Sequence, residues 1–118
     1  MRIVIETIPH KAQRYPSCGD WLYEGNTLKI FVSKTRDWRY SFLVAVHELI
    51  EAGLCKRAGI TQEAVDKFDM KFKGKGEPGD DPKAPYRQQH AVATDIERYL
   101  ATMLKVNWQK YEAALNKL

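Results

Sequence analysis

Residues 37–59, DWRYSFLVAVHELIEAGLCKRAG, place their apolar side chains at the spacing of an α-helix. Those side chains are Trp38, Phe42, Leu43, Val46, Leu49, Ile50 and Leu54. Gly59 is a suitable residue to end the helix. His47 and Glu51 interrupt the apolar run four residues apart, which puts both side chains on one helix face. We expect both to emerge from a buried surface, where leaving them unpaired would be costly.

The residues before this helix predict β-strands. Residues 2–8 alternate between the two faces of a strand and end at Pro9. Residues 20–33 have the pattern of a hairpin that turns at Gly25 and Asn26. We therefore predict a small antiparallel sheet of about three N-terminal strands.

Three more helices are predicted after residue 59. Residues 74–85 contain three glycines and three prolines, which predicts a loop rather than regular structure. The predicted helices run from the N-cap Thr61 to about Phe72, from Pro85 or Tyr86 to about Lys105, and over residues 108–117 after the N-cap Asn107. The predicted fold class is α+β, with the sheet packed on a layer of three to four helices and residues 1–118 forming a single domain.

The composition indicates a globular chain without a membrane span. Hydrophobic residues make up 44% of the 118 residues and charged residues 29%. No apolar run approaches the roughly 18 residues of a transmembrane helix, and residues 1–6 do not have the pattern of a signal peptide. We therefore expect no membrane partner, a cytoplasmic location, and reduced thiols at Cys18 and Cys55. The net charge is +4, but basic and acidic residues are interspersed, so we expect no nucleic-acid partner.

A second histidine on the third predicted helix suggests a metal site. His90 and Glu97 are seven residues apart and share a helix face with small residues, which permits close approach of another helix. If this face packs against the first helix, His47, Glu51 and His90 form a three-ligand site for Zn²⁺ or another divalent metal, with one position left for water. Glu48 lies about 100° around the helix from His47, at the rim of this site, and is free for acid–base chemistry.

The motif His47-Glu48-x-x-Glu51 resembles the His-Glu-x-x-His signature of zincin metalloproteases, with Glu51 in place of the second histidine. The order of elements, a small sheet followed by the motif helix, is similar as well. The resemblance implies that His47 and Glu51 bind zinc, that Glu48 activates water, and that His90 supplies the third ligand. It also implies a metal-dependent hydrolase, for which a peptide is the first substrate to expect.

Three residues near the predicted ligands have supporting roles in this hypothesis. Glu97 is expected to orient a ligand or to pair with a neighbouring cation, and it is also a candidate for an extra ligand. Tyr86 and Arg87 begin the helix that carries His90 and are candidates for stabilising an oxyanion near the metal.

A second carboxylate pattern supports a different hypothesis. Glu48-x-x-Glu51 is followed by Asp66-x-x-Asp69 on the next predicted helix, and four carboxylates suit Mg²⁺. The two pairs resemble those of helical nucleoside triphosphate pyrophosphatases, which implies a magnesium-dependent site. That family is built from helices alone, so the three predicted strands have no counterpart in it.

The chain as a whole resembles small uncharacterised proteins encoded in bacteriophage and prophage genomes. The resemblance lies in His47-Glu-Leu-Ile-Glu-Ala, Gly76-Glu-Pro-Gly-Asp-Asp and Ala84-Pro-Tyr. It implies an origin in a bacterial or phage-infected host cytoplasm and leaves the activity open. Two alternatives to the hydrolase therefore stay open: a non-enzymatic protein with a structural metal site, and a metal-free, hydrogen-bonded pair of His47 and Glu51 that stiffens the core.

Overall fold

The three N-terminal strands form one sheet in which the last strand lies in the middle. The computed structural model describes residues 1–118. The strands are β1 (Arg2–Ile8), β2 (Gly19–Glu24) and β3 (Thr27–Ser33), and their order across the sheet is β1-β3-β2. β2 and β3 form the predicted antiparallel hairpin, with Gly25 in the left-handed region at φ 57°.

β1 pairs with β3 in parallel, so the sheet is mixed and the prediction of an antiparallel sheet is wrong for this pair. The difference arises because β3 turns back into the space between β1 and β2, where it runs in the direction of β1. Alternating polarity identifies which residues form strands, but it does not identify which strand lies in the middle. The central position of β3 is reflected in its apolar face, which is buried at Leu28, Ile30 and Val32.

Four helices follow the sheet, and the α+β fold class is confirmed. They are α1 (Trp38–Ala58), α2 (Gln62–Lys71), α3 (Arg87–Met103) and α4 (Trp108–Asn116). The side chains of Asp37, Thr61 and Asn107 accept hydrogen bonds from backbone N–H groups at the starts of α1, α2 and α4. The loop between α2 and α3 contains a short 3₁₀ turn at Pro78–Asp80. No helix has both the length and the apolar character needed to cross a bilayer.

α1 lies between the sheet and α3. Leu43 and Val44 of α1 belong to the same buried core as the apolar face of β3. α1 and α3 run in opposite directions. The start of α1 therefore lies beside the end of α3, where Arg39 donates a hydrogen bond of 3.1 Å to the carbonyl of Leu104. Small residues of α3, including the fully buried Ala93, permit the close packing of the two helices.

Replacing Ala93 with leucine should disturb this packing. The side chain is fully buried on the face of α3 that also carries His90 and Glu97. Overpacking of a buried position costs about 1–3 kcal/mol, and we expect Ala93→Leu to lower the free energy of unfolding by that amount. The matched control is Ala91→Leu, because Ala91 is exposed on the same helix and should change stability by less than about 0.5 kcal/mol. Equal denaturation midpoints for the two variants would contradict the packing described.

Candidate metal centre

Three side-chain atoms from α1 and α3 converge on one point. His47 Nε2 lies 3.1 Å from Glu51 Oε2 and 3.2 Å from His90 Nδ1, and the last two atoms are 2.9 Å apart. All three side chains are buried. His47 and Glu51 lie on one face of α1 because they are four residues apart in the sequence. That face packs closely against α3, which carries His90.

The separations of these atoms match those of ligands around a metal ion. Zinc holds nitrogen and oxygen ligands at about 2.0–2.1 Å in a tetrahedron, which places neighbouring ligand atoms roughly 3.3 Å from one another. The three observed separations, 2.9 to 3.2 Å, are close to this value. A buried group of two histidines and one glutamate can therefore hold a divalent metal ion.

The ligand side chains are held from behind by further hydrogen bonds. Glu97 Oε1 lies 2.8 Å from His47 Nδ1, the ring nitrogen that faces away from the converging atoms. The hydroxyl of Tyr111 donates to Glu97 Oε2 at 2.5 Å, and the indole N–H of Trp21 donates to Glu51 Oε1 at 3.0 Å. Partners of this kind fix the orientation and tautomer of a metal-binding histidine. Glu97 lies behind His47 and not among the converging atoms.

Sequence reasoning did not identify Trp21 and Tyr111 as part of the site. Trp21 lies in the hydrophobic core with 4% of its surface exposed. Its contact with Glu51 joins β2 to α1, and the contact of Tyr111 with Glu97 joins α4 to α3. A buried tyrosine or tryptophan usually finds a hydrogen-bond partner, but the identity of that partner depends on the packing of distant elements.

A cleft of about 400 Å³ opens beside the three converging atoms. Glu48, His47, Glu51 and His90 all line it. Its other walls combine apolar and acidic side chains, among them Trp21, Val65, Asp66, Asp69, Met70, Phe72 and Glu77. A volume of a few hundred Å³ is typical of small-molecule and active-site pockets, so the cleft gives a ligand access to the metal-binding group.

Glu48 lies in the wall of this cleft, beside the start of β2. A Cβ atom at Gly19 would lie 2.6 Å from Glu48 Oε1 and 2.7 Å from Val44 Cγ1, so only glycine permits this close approach of β2 to α1. Burial, followed by the negative charge of Glu51, raises the pKa of Glu48 well above its usual range. A raised pKa makes this carboxylate a stronger proton acceptor than an ordinary glutamate.

The structure does not bring the four carboxylates of the magnesium hypothesis together as one group. Glu48, Glu51, Asp66 and Asp69 all line the cleft. Neither Asp66 nor Asp69, however, belongs to a group of side chains close enough to hold a metal ion. Asp66 instead forms a salt bridge with Arg14 at 3.1 Å. Asp69 accepts hydrogen bonds from two tyrosine hydroxyls.

Tyr86 and Arg87 are placed differently from one another. Tyr86 is buried in the cleft wall, and its hydroxyl donates to Asp69 Oδ1 at 2.5 Å. Burial raises the pKa of Asp69 to about 6, although hydrogen bonds from Tyr86 and Tyr15 oppose the shift. Arg87 is exposed at the first turn of α3 and does not line the cleft. Of the two oxyanion candidates, only Tyr86 is therefore near the metal-binding group, and its hydroxyl is already engaged.

The histidines and Glu51 are strongly coupled by charge. Burial disfavours the imidazolium ions, but hydrogen bonds to carboxylates outweigh it and raise the pKa of His47 to about 11 and of His90 to about 10. Burial likewise opposes ionisation of Glu51, yet its hydrogen bonds to the two histidines lower its pKa to about 2. In the metal-free protein carboxylates therefore stabilise the protonated imidazoles, although the two cations repel one another, and a metal ion must displace protons to bind.

No family model, curated protein or solved structure matches this chain.

The metal-free protein should lose stability as the pH rises. The two histidines bind protons more tightly in the folded chain, so their contribution is complete below the usual pKa of 6.5 and is lost as the pH rises through the folded values of about 10 and 11. Glu51 has a lowered pKa, so its contribution is complete above its usual value of 4.5 and is lost only as the pH falls through about 2.

The stabilisation by zinc should instead increase as the pH rises, because both imidazoles must lose a proton to bind a metal ion. We expect the gain in melting temperature on adding zinc to grow from about pH 6 to about pH 9, while the melting temperature in chelator declines over the same range. Thermal denaturation with and without chelator at matched pH values measures both trends. A zinc-dependent gain that is constant across this range would contradict metal binding by the two histidines.

Proposed function

We propose that this protein is a zinc-dependent hydrolase in which a metal-activated water attacks a peptide or related bond. The observation that carries the proposal is the convergence of His47 Nε2, Glu51 Oε2 and His90 Nδ1 within 3.2 Å of one another beside an open cleft. Three protein ligands and an accessible fourth position are the arrangement of catalytic zinc sites, whereas structural sites are closed by four protein ligands.

The position of Glu97 favours a catalytic over a structural site. Glu97 was the candidate for a fourth ligand, but its carboxylate faces His47 Nδ1, on the side of the ring away from the other ligands. It therefore orients His47 and does not close the coordination shell. Two imidazoles also favour zinc over magnesium, which prefers an all-oxygen shell.

Zinc in this position would lower the pKa of a bound water from about 15.7 to about 7. Glu48 lines the same cleft and is our proposed general base, which takes a proton from the attacking water and returns it to the leaving group. His47, held by Glu97, and Glu51, held by Trp21, keep the ligand geometry fixed during the reaction. The similarity of His47-Glu48-x-x-Glu51 to the zincin motif supports these roles.

The cleft supports a peptide as the substrate class. Its apolar surface at Val65, Met70 and Phe72 is suited to an apolar side chain, and its acidic residues disfavour anionic substrates such as nucleotides. The pyrophosphatase hypothesis is disfavoured by the engagement of its two aspartates elsewhere, because Asp66 pairs with Arg14 and Asp69 accepts hydrogen bonds from two tyrosines.

Replacing Glu48 with glutamine tests the general base. The variant keeps the shape of the side chain and cannot accept the proton, so we expect metal-dependent peptide hydrolysis to fall by about 100-fold or more while zinc stays bound. Glu63→Gln is the matched control, because Glu63 is exposed on α2, does not line the cleft and loses the same charge. Activity should be measured on a panel of peptides together with zinc content. Activity of Glu48→Gln equal to that of the wild type would refute the role of Glu48.

A pair of variants separates the zinc site from the four-carboxylate magnesium site. His90→Ala removes one of three ligands, and we expect zinc affinity to fall by more than the roughly 10- to 100-fold that loss of a supporting partner causes. Asp66→Asn breaks the pair with Arg14 and should leave zinc affinity within a few-fold of the wild type. Competition with a chromophoric zinc chelator measures both. Zinc binding that depends on Asp66 and not on His90 would refute the proposed ligand set.

A further inference from the structure

We propose a second divalent-cation site on the opposite edge of the His90 ring, formed by His90 Nε2, Glu77 and Asp80. With both ring nitrogens engaged, the imidazole of His90 would bridge two metal ions. The inference goes beyond the proposed hydrolase, whose single ion requires only His90 Nδ1. It concerns metal binding alone and can fail while the first site stands.

The first evidence is a buried nitrogen atom without a hydrogen bond. His90 Nε2 has no hydrogen-bond partner, although only 6% of the His90 side chain is exposed. Glu77 Oε2 lies 3.0 Å and Asp80 Oδ1 3.1 Å from this nitrogen. Neither contact has the geometry of a hydrogen bond, so the two carboxylates lie close to the nitrogen as charged neighbours and not as aligned acceptors.

This geometry is expected around a metal ion. A ring nitrogen binds an ion along its lone-pair direction, and the other ligands of that ion flank this direction at roughly 3 Å from the nitrogen. The oxygens of Glu77 and Asp80 lie at this distance from Nε2, and the three ligand atoms lie within 4.8 Å of one another. The buried, unpartnered nitrogen therefore points into a group that offers two carboxylates to a cation.

The local backbone holds the two carboxylates on one side. Glu77 precedes and Asp80 ends the 3₁₀ turn Pro78–Asp80, and the N–H of Asp80 donates to the Glu77 carbonyl at 3.1 Å. In a 3₁₀ turn, residues three apart lie on the same side, so both side chains face the same direction. Pro78, at the first position of the turn, restricts its backbone.

The turn is also packed directly against the imidazole. A Cβ atom at Gly79 would lie 2.4 Å from His90 Cγ and 2.5 Å from Nδ1, so the backbone of the turn lies against the ring and only glycine fits. This contact fixes the distance between the turn and His90. The side chains of Glu77 and Asp80 are 62% and 67% exposed, so an ion held there would be open to solvent.

The chemistry of the ligands defines the class of ion. Two carboxylate oxygens and one imidazole nitrogen suit zinc, manganese or copper, and the nitrogen disfavours calcium. When both ions are bound, His90 must be an imidazolate, so binding of the second ion releases the remaining ring proton to solvent. The two ions contact different edges of the ring and cannot be one ion shared between the two groups.

Zinc stoichiometry tests the second site. We expect equilibrium dialysis with elemental analysis to find two zinc ions per wild-type chain and one per chain in the double variant Glu77→Gln, Asp80→Asn. The control Asp81→Asn should keep two ions, because Asp81 only accepts a hydrogen bond from the backbone of Lys83. Both side chains are exposed, so the double variant should fold and should still show one cooperative melting transition in chelator.

The possible results separate this proposal from the first site. One zinc ion in both the wild type and the double variant would overturn the second site, make Glu77 and Asp80 only orienting partners of His90, and leave the hydrolase site intact. Two ions in the double variant would place the second ion elsewhere and overturn the proposal. No bound zinc in the wild type would overturn both sites.

Copper tests the bridge itself. In protein loaded with two copper(II) ions, an imidazolate bridge couples their unpaired electrons, and electron paramagnetic resonance should show an exchange-coupled pair. The double variant should show one isolated copper(II) ion. Two uncoupled copper(II) signals in the wild type would overturn the bridge.

Discussion

The burial of His47 between two carboxylates is the constraint on which the rest of the structure depends. An imidazole inside a core is costly unless both ring nitrogens find partners. Glu51, one turn later on α1, partners Nε2, and Glu97 of α3 partners Nδ1. The second contact requires that α1 and α3 pack closely, which the small residue Ala93 permits. The same packing brings His90 Nδ1 to Glu51 Oε2, the oxygen that His47 also contacts.

The supporting contacts connect this pair of helices to the sheet, to α4 and to the 3₁₀ turn. Trp21 of β2 reaches Glu51, Tyr111 of α4 reaches Glu97, and the 3₁₀ turn before α3 packs on His90. Elements that are distant in the sequence therefore hold Glu51, Glu97 and His90 in place. Such preorganisation is needed wherever ligands must keep a fixed geometry around an ion. It also explains why a strongly coupled set of charges can persist in the core of a small domain.

Much of the architecture and the three converging residues could be predicted from the sequence, because they depend on local periodicity. The helical spacing of residues 37–59, the caps at Thr61 and Asn107 and the shared face of His90 and Glu97 are all properties of single elements. The parallel pairing of β1 with β3 could not be predicted in this way, since strand order depends on where the hairpin returns. The contributions of Trp21, Tyr111 and Glu77 likewise depend on packing between distant segments, which no spacing in the sequence records.

Zinc binding by His47, Glu51 and His90 can be tested by crystallography. The protein is crystallised with one equivalent of zinc, and diffraction data are collected on both sides of the zinc absorption edge. We expect one dominant anomalous peak about 2.0–2.1 Å from His47 Nε2, Glu51 Oε2 and His90 Nδ1, with the fourth position facing the cleft. A peak bound by other residues, or no ordered zinc while His47 keeps its hydrogen bonds to Glu51 and Glu97, would contradict it and leave the polar group as a stabilising element of the core.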